Sequence, residues 1–534
     1  MSRWTDHLII APVLLPLLAG AVILTFGSEG RRNFNAAVNV VSSFALVAVA
    51  VGLLRAADAG PGLAGVYRLG DWPAPFAIVL VADRLSAVML LLTSVVAVAA
   101  VIFSLARWHR AGPHFHSLFQ LLLMGLNGAF LTGDLFNLFV FFEVLLAASY
   151  GLALHGSGAF RVKAGLHYIV VNLAASLLFL IGVSLIYSVA GTLNMADLAA
   201  LIPKIRADDL ALLEAGAGIL GIAFLLKAGM WPLCFWLPTT YAAASPPVAS
   251  IFAILTKVGV YIVLRLWLLL FGNEAGASAQ FGGEWLLLGG IATVAFGIVG
   301  TLASQDMARL AAFSVLVSSG TMLAAIGMGQ VGVTGGALYY LISSTLGISA
   351  FFLLVELVER GREPGADVFA VTREAYGDVD TPDEEEVGIA IPATMGMLGF
   401  AFIGCALVIA GLPPLPGFIA KFALLTAALN PSGSSPGAPV PMASWALLVL
   451  LILSGLAALV AMTRAGIRAF WASPDRAVPR VRLIEMTPVV VLLILCAMQT
   501  VHAGPVMRFM EATAQSLHAP HNYVRGILGQ KAGG

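Results

Sequence analysis

Four ionisable side chains lie inside long apolar stretches of the sequence, where a charge is costly; they are Glu143, Lys227, Lys257 and Lys421. Burial away from water favours the neutral forms of lysine and glutamate, whereas an opposite charge nearby restores the charged forms. A Glu–Lys pair that forms and separates can therefore switch a neighbouring lysine between holding and releasing a proton. A series of such groups, linked by water, makes a relay. These residue types predict proton transfer inside an apolar interior.

Other residues are weaker candidates, and each has a structural interpretation beside the functional one. His167 begins another apolar stretch and could join a relay, although its position favours a satisfied packing histidine. Each lysine could instead form a structural ion pair or extend its ammonium to a lipid headgroup. Asp83 is interpreted as an acid at a helix N-terminus, paired with the adjacent Arg84.

The elements that must position these groups are membrane-spanning helices. The chain is 60% hydrophobic and only 10% charged, too few charges to solvate a globule of 534 residues. About fourteen apolar stretches are long enough to span a bilayer, and they lack the period-two alternation of barrel strands. We predict an all-α integral membrane protein with a single polytopic domain, 1–534. The predicted spans lie near residues 8–27, 35–54, 76–106, 114–131, 133–154, 163–190, 212–241, 247–271, 284–304, 308–329, 332–358, 389–430, 440–464 and 484–503.

Composition and motifs exclude several classes of function. The net charge is zero, which gives no sign of a nucleic-acid partner. The three cysteines lie far apart in apolar runs without a CxxC, so no metal site, iron–sulfur cluster or other cofactor is predicted. The sequence has no P-loop, no GxGxxG after a strand and no HExxH. We therefore expect a protein that is not an enzyme and that lies in lipid.

Two of the spans contain clustered prolines and should break in mid-membrane. They are the segments 225–247 and 409–425, and the helix-breaking residues are Pro232, Pro238, Pro413 and Pro414. The pattern Ala-Gly-x-x-Pro-Leu occurs in both, beginning at Ala228 and again at Ala410. Paired broken helices in two halves indicate an inverted-repeat architecture, although chance could also produce the match. We predict a first repeat over 114–271 and a second over 284–464.

The loops predict the orientation in the membrane. Lys and Arg concentrate in every second loop, which places both termini on the outer side. The longest charged loop, 361–388, carries an acidic run and is predicted to be a solvated cytoplasmic loop, with partner docking as the alternative. The short tail, 504–534, is weakly amphipathic and is expected to lie along the membrane surface.

Three segments of the sequence resemble a known family. They read GDLFNLFVFFEVLLAASYGL, LLKAGMWPLCFWLPTTYAAASPPVASIFAILTKVGVY and GLPPLPGFIAKF. They resemble the antiporter-like subunits of respiratory complex I and of the Mrp-type monovalent cation/proton antiporters, and the first is closest to the D subunits of the latter. The resemblance implies fourteen helices with two inverted five-helix repeats. It also implies that Glu143 pairs with Lys227, that Lys257 is the centre of the relay, and that Lys421 is near its exit.

The eleventh span departs from this family. Many relatives carry a histidine and a lysine there, whereas this sequence has hydroxyl groups at Ser343, Ser344, Thr345 and Ser349. The departure puts a direct lysine-to-lysine transfer between Lys257 and Lys421 in doubt. We hypothesise that these hydroxyls and ordered water bridge the gap.

The resemblance implies a proton-translocating subunit of a multisubunit Na⁺(K⁺)/H⁺ antiporter in the bacterial inner membrane, working with the other subunits. The alternative is a proton-pumping subunit of a complex I-like NADH dehydrogenase or a membrane hydrogenase, and a third reading is a membrane scaffold without transport. The sequence leaves open whether Na⁺ or K⁺ is exchanged, and whether the cation passes through this chain. Buried lysines repel metal cations, which favours protons here and the cation elsewhere.

Overall fold

The computed structural model describes residues 6–27, 29–60, 63–72, 78–360, 393–430, 440–470 and 479–529. Nineteen α-helices are described, and we number them α1 to α19 in chain order. Their bounds are Ala11–Phe26, Arg32–Ala59, Arg84–Leu105, Phe115–Leu131, Leu135–Ala153, Ala159–Ala190, Met195–Leu201, Ala207–Ala228, Trp236–Ala243, Pro246–Leu270, Gly283–Ala303, Met307–Gly327, Val331–Glu359, Ala393–Ala410, Pro416–Leu429, Met442–Phe470, Leu483–Val501, Ala503–His518 and His521–Leu528. The acidic loop predicted at 361–388 and the last residues of the predicted tail lie outside the described residues.

Fourteen spans can be counted in the described part of the chain. Twelve helices are long and apolar enough to cross a membrane, and α1 and α4 are shorter apolar helices. The remaining short apolar helix, α15, completes the span that α14 begins. The prediction of a helical membrane protein with about fourteen spans is therefore confirmed.

The predicted third span was wrong at its start. Residues 79–83 form a strand, β2 (Val79–Asp83), that pairs antiparallel with β1 (Leu63–Arg68), and α3 begins only at Arg84. The run Val-Leu-Val-Ala is uniformly apolar, so periodicity could not separate a buried strand from the first turn of a helix. Asp83 then stops the strand because its carboxylate caps α3, accepting from the backbone N–H of Ser86 at 2.8 Å.

The two chain ends lie on one face of the bundle, which we call the terminal face. His7 near the N-terminus is 3.3 Å from the Tyr67 hydroxyl on β1. Arg68, at the end of β1, donates to the carbonyl of Ile527 in α19 at 3.0 Å. The amphipathic helices α18 and α19 therefore pack across this face. An even number of spans requires such an arrangement, and the terminal face is the one predicted to be outer.

Both predicted broken helices are interrupted in the structure. Helix α8 ends at Ala228 and α9 begins at Trp236, whereas α14 ends at Ala410 and α15 begins at Pro416. The residue after each first half is a glycine in the left-handed region, with φ of 71° at Gly229 and 75° at Gly411. Glycine adopts this conformation without the steric cost that a Cβ imposes.

The backbone at the two breaks is satisfied in the same way. The N–H of Met230 donates to the carbonyl of Leu225 at 2.9 Å, and the N–H of Leu412 donates to that of Leu407 at 3.0 Å. The carbonyl that closes each first half accepts a side chain, from Ser319 at Ala228 and from Lys421 at Ala410. Irregular backbone at membrane depth persists only where such partners exist. This correspondence supports the predicted pair of repeats.

One of the four predicted helix-breaking residues does not lie in a break. Pro232, Pro413 and Pro414 fall between the helix halves, but Pro238 is the third residue of α9. A proline in the first turn of a helix costs little, because the N–H that it lacks would have no intrahelical partner there. Pro238 therefore lies in the first turn of the second half of the helix and does not interrupt it.

Helices α11 and α12 pack closely through glycines. A Cβ added to Gly290 would lie 2.3 Å from the backbone nitrogen of Ala324, and one added to Gly320 would lie 2.8 Å from that of Val294. Small residues let membrane helices approach backbone to backbone, because lipid supplies no hydrophobic force that would press larger side chains together.

We predict that Gly290→Val destabilises the protein by about 1–3 kcal/mol or more, because the new side chain overlaps backbone that cannot move aside. Thermal unfolding in detergent, followed by fluorescence-detected size exclusion, measures the loss. The matched control is Gly396→Val, since a Cβ at Gly396 meets nothing within 4 Å. Equal melting temperatures for the two variants would contradict the close packing.

Candidate functional site

Three lysines predicted from the sequence are buried in the bundle. The exposed fraction is 8% for Lys227 on α8, 1% for Lys257 on α10 and 8% for Lys421 on α15. Helix α10 is buried along its whole apolar stretch, which makes Lys257 the most enclosed of the three. Ionisable groups at this depth normally mark an ion or proton pathway.

Glu143 and Lys227 lie in the same neighbourhood but do not form an ion pair within 4 Å. The ammonium of Lys227 lies 4.9 Å from the centre of the Phe142 ring, beside Glu143 on α5. The Glu143 carboxylate still attracts it electrostatically. One carboxylate oxygen, Oε1 of Glu143, is buried without a hydrogen-bond partner. The pair is therefore separated here, with a partner position open on the glutamate.

Lys257 begins a line of hydrogen bonds across three helices. Its Nζ donates to the Oγ of Ser318 on α12 at 2.5 Å. Ser318 donates in turn to the Oγ of Ser344 on α13 at 2.8 Å. Ser344 donates to the carbonyl of Leu341 at 3.3 Å. The structure thus joins the central lysine to one of the hydroxyls predicted to replace an ionisable group.

A small polar cavity lies beyond Ser344. Its volume is about 20 Å³, room for about one water molecule. Six hydroxyl side chains line it together with apolar groups; they are Thr301, Ser314, Tyr340, Ser343, Ser344 and Ser454. Val408 and Ile409, just before the second helix break, form another part of the wall. The cavity therefore separates the Lys257 line from the second break.

Lys421 lies on the other side of that break. Its Nζ donates to the carbonyl of Ala410 at 3.1 Å. A Cβ placed on Gly455, next to the cavity-lining Ser454, would lie 3.5 Å from this Nζ. The arrangement from Lys257 to Lys421 is therefore a lysine, two serines, a cavity with hydroxyl walls, and a second lysine.

The remaining predicted residues are placed differently. Thr345 is buried, but its hydroxyl donates to the carbonyl of Leu341 at 2.6 Å in its own helix. His167 is exposed on α6, with its Nδ1 2.9 Å from the carbonyl of Lys163, so the structure does not bring it to the buried lysines. Ser318, which accepts the hydrogen bond from Lys257, was not predicted as a site residue from the sequence. The sequence feature that could have indicated it is the pair of adjacent serines in the apolar run VLVSSGTM.

The predicted pairing of Asp83 with Arg84 was wrong. Asp83 pairs with Arg265, whose second guanidinium nitrogen donates to Oδ1 of Asp83 at 2.8 Å, while the Arg84 guanidinium lies over the Phe509 ring. Adjacent residues at a helix start point in different directions, so a partner from another helix reaches the carboxylate more easily. Burial acts to raise the pKa of Asp83, but the charge and hydrogen bonds of Arg265 hold it below its ordinary value.

Among the described residues, no group of three or more His, Cys, Asp or Glu side chains is placed to hold a metal ion. All three cysteines are free and buried.

The fold and site define a polytopic helical membrane protein with two interrupted helices and lysines buried around them. The chain belongs to the family described as "NADH:quinone oxidoreductase/Mrp antiporter, TM", whose model matches residues 132–434. It is therefore a multi-pass protein of the bacterial inner membrane.

Two curated relatives illustrate the similarity. The chain is 61% identical to the D subunit of a probable K(+)/H(+) antiporter of Rhizobium meliloti, over 99% of its own length and 98% of the relative. It is 32% identical to the D subunit of a Na(+)/H(+) antiporter of Alkalihalophilus pseudofirmus, over 98% of this chain and 99% of the relative.

Solved structures show the same fold. A chain of the Mrp complex from Dietzia sp. DQ12-45-1b matches with a TM-score of 0.82 at 24% identity, covering 99% of this chain and 100% of that one. A chain of respiratory complex I from Thermus thermophilus matches with a TM-score of 0.74 at 22% identity, covering 98% and 100%. At these identities the likeness concerns the fold alone.

Proposed function

We propose that this chain is the proton-translocating membrane subunit of a multisubunit Na⁺(K⁺)/H⁺ antiporter. The observation that carries the proposal is the line from Lys257 through Ser318 and Ser344 to the cavity before Lys421. Relatives named as antiporter D subunits, matched along nearly their whole length, support the assignment to such a complex. Its partners are then the other subunits of that complex and the surrounding lipid.

In this proposal the separated Glu143–Lys227 pair works as a switch. When Lys227 moves from the Phe142 ring to Glu143, the carboxylate offsets its charge, and Lys257 accepts a proton more readily. When Lys227 returns, repulsion between the two ammonium groups drives that proton along the serines towards Lys421. Helices α8 and α10 are close enough for this coupling, since a Cβ on Gly259 would lie 2.9 Å from the backbone of Lys227.

We further infer that the chain carries protons and that the metal cation crosses elsewhere in the complex. The buried charges along the line are ammonium groups, which repel Na⁺ and K⁺ alike. Hydroxyl groups and one water can hand on a proton but offer too few oxygen ligands for a cation cage. The two predicted repeats, 114–271 and 284–464, would each supply one broken helix to this relay.

A second candidate function is a proton-pumping subunit of a redox complex. It is favoured by the 30% identity to the N subunit of an NADH-quinone oxidoreductase of Desulforudis audaxviator, which covers 85% of this chain. The antiporter relatives are more similar and cover more of the chain, so we place the antiporter first.

The test is dissipation of a pH gradient by the whole complex in vesicles, with Na⁺ compared against K⁺, for wild type and Lys227→Ala. We expect cation-dependent dissipation in wild type and its loss in an assembled Lys227→Ala complex. Full activity of that variant would refute the relay. Dissipation that needs NADH or another reductant, and no cation, would instead support the redox function.

A separate prediction concerns Ser343 and Ser344, whose hydroxyl groups line the cavity between Lys257 and Lys421. Replacing both Ser343 and Ser344 with alanine should cut transport strongly, by about tenfold or more, because the cavity loses the polar partners that hold a water. The control is Ser349→Ala, since Ser349 is also buried on α13 but donates to the carbonyl of Ser250, away from the cavity. Equal transport by the double variant and the control would exclude the bridge.

A further inference from the structure

Helix α10 carries a polar face that leads from its middle to the terminal face. Lys257, Tyr261 and Arg265 follow at intervals of four residues, so they lie on one side of the helix. Their exposed fractions are 1%, 2% and 6%, which means that the whole face is enclosed. At 1.5 Å per residue the three side chains cover about 12 Å along the helix axis. The proposed relay uses Lys257 but not Tyr261 or Arg265.

The end of this polar face is a closed cluster around Asp83. Arg265 donates to both carboxylate oxygens of Asp83 and, at 3.1 Å, to the hydroxyl of Tyr261. Tyr261 donates to the carbonyl of Phe130 at 2.6 Å. Asp83 itself is 8% exposed. A guanidinium therefore links a tyrosine one turn from Lys257 to a buried carboxylate.

A cavity of about 30 Å³ adjoins the cluster on the side of the terminal face. Asp83 and Arg265 line it together with Ser516, Asn522 and Tyr523, which belong to the C-terminal segment. The volume is enough for one or two water molecules. The ring of Tyr523 lies 5.4 Å from the guanidinium carbon of Arg265 and covers it. The aromatic ring of Tyr523 on α19 thus lies over the ion pair beside this cavity.

We propose that Asp83 is the group through which this chain exchanges protons with the solution at the terminal face. The proposal rests on the proposed function, because Asp83 is then the outer end of the proton path that runs through Lys257. While Arg265 holds Asp83, the carboxylate stays charged and the path is closed. If Arg265 turns towards the cavity, Asp83 is left buried without a counter-charge, which favours binding of a proton.

The transfer conserves protons and involves no redox change. While Arg265 is turned away, water in the cavity beneath Tyr523 gives a proton to the Asp83 carboxylate. An O–H bond forms on the carboxylate as an O–H bond of that water breaks. When Arg265 returns, the O–H bond on Asp83 breaks. The Tyr261 hydroxyl accepts one proton and gives one up to the neutral amine of Lys257, and the carboxylate is charged again. Within the described part of the chain, the charged group that faces Asp83 in this cycle is Arg265, with the hydroxyls of Tyr261 and Tyr523 beside it.

The test is the double variant Asp83→Asn with Arg265→Gln, in the whole complex. Asparagine keeps the cap of α3 and glutamine keeps a donor to it, so no unpaired charge is left in the interior. We expect an assembled complex whose antiport falls about 100-fold, the usual effect of removing a positioned proton-transfer group. Antiport at the wild-type rate would overturn the proposal, because a merely structural pair is replaceable by a neutral one.

The matched control makes the same substitutions in an exposed ion pair. Asp208→Asn with Arg206→Gln removes a pair of 3.3 Å whose side chains are 83% and 77% exposed, and it should leave antiport unchanged. The Lys257 variant described below separates the two proposals. If that variant keeps antiport, the relay fails; if it loses antiport while the Asp83/Arg265 double variant keeps it, only the present inference fails.

A second measurement needs no variant. Dicyclohexylcarbodiimide reacts with protonated carboxyl groups in apolar surroundings, and mass spectrometry locates the product. We expect labelling of Asp83 in the wild-type complex during antiport, and weaker labelling at high pH. The absence of any product at Asp83 under these conditions would overturn the proposal even if the double variant did not assemble.

Discussion

Replacing Lys257 with methionine should abolish cation/proton antiport while the complex still assembles. Lys257 is the most enclosed of the three lysines, and its ammonium donates the first hydrogen bond of the line through Ser318. Methionine fills a similar volume without a proton to carry. We expect antiport in vesicles to fall by at least about 100-fold, the usual scale for losing a proton-transfer group.

The same variant should not weaken the fold. A buried ammonium is costly to desolvate, and replacing it with an apolar side chain is often neutral or stabilising. Removal of the charge leaves Ser318 still able to donate to Ser344. Lys204→Met, at an exposed position, is the control and should keep full antiport. Antiport by Lys257→Met at the control rate would show that protons take another path.

Glu143→Gln should also eliminate antiport, for a different reason. The amide has nearly the shape of the carboxylate but no charge, so it cannot draw Lys227 away from the Phe142 ring. The buried Oε1 of Glu143 has no hydrogen-bond partner, which leaves a place for the ammonium when the pair forms. Without pairing, Lys227 stays in one position and Lys257 is never switched. We expect a loss of about tenfold to 100-fold.

The assay is again pH-gradient dissipation by the whole complex, with assembly checked by co-purification of the other subunits. Glu284→Gln is the matched control, since Glu284 is exposed in the first turn of α11. A scaffold without a transport role predicts that Glu143→Gln and Glu284→Gln behave alike. A transporter predicts that only the former loses activity, and Glu143→Asp should recover part of it because the charge returns.

The helical architecture could be predicted from the sequence because the bilayer imposes it. Backbone polar groups must be satisfied within each span, so long apolar stretches fold as helices whatever their neighbours do. Clustered prolines likewise mark an interruption from local sterics alone, and both interruptions occur where Pro232 and Pro413 lie. Prediction was wrong where a local pattern has two outcomes. The run before Asp83 fits a strand or a helix, and Pro238 fits a break or a first turn.

Some residues of the candidate site could likewise be predicted from the sequence, and others could not. Glu143, Lys227, Lys257 and Lys421 were found because a charge within an apolar span stands out in the sequence. Ser318 gives a much weaker signal, because a serine in a membrane helix usually bonds its own backbone. Its role appears only when α12 packs between α10 and α13 and places its hydroxyl between Lys257 and Ser344.

The sequence by itself therefore determined that this chain spans the membrane, which helices break, and which charges are buried. Each of these follows from a local cost: desolvating a charge, leaving backbone unpaired, or placing proline inside a helix. Only the tertiary structure decided the partners. It separated Glu143 from Lys227, connected Lys257 to the cavity before Lys421, and joined Asp83 to Arg265. Such pairings join residues that are distant in the chain, and helix packing alone sets the distances between them.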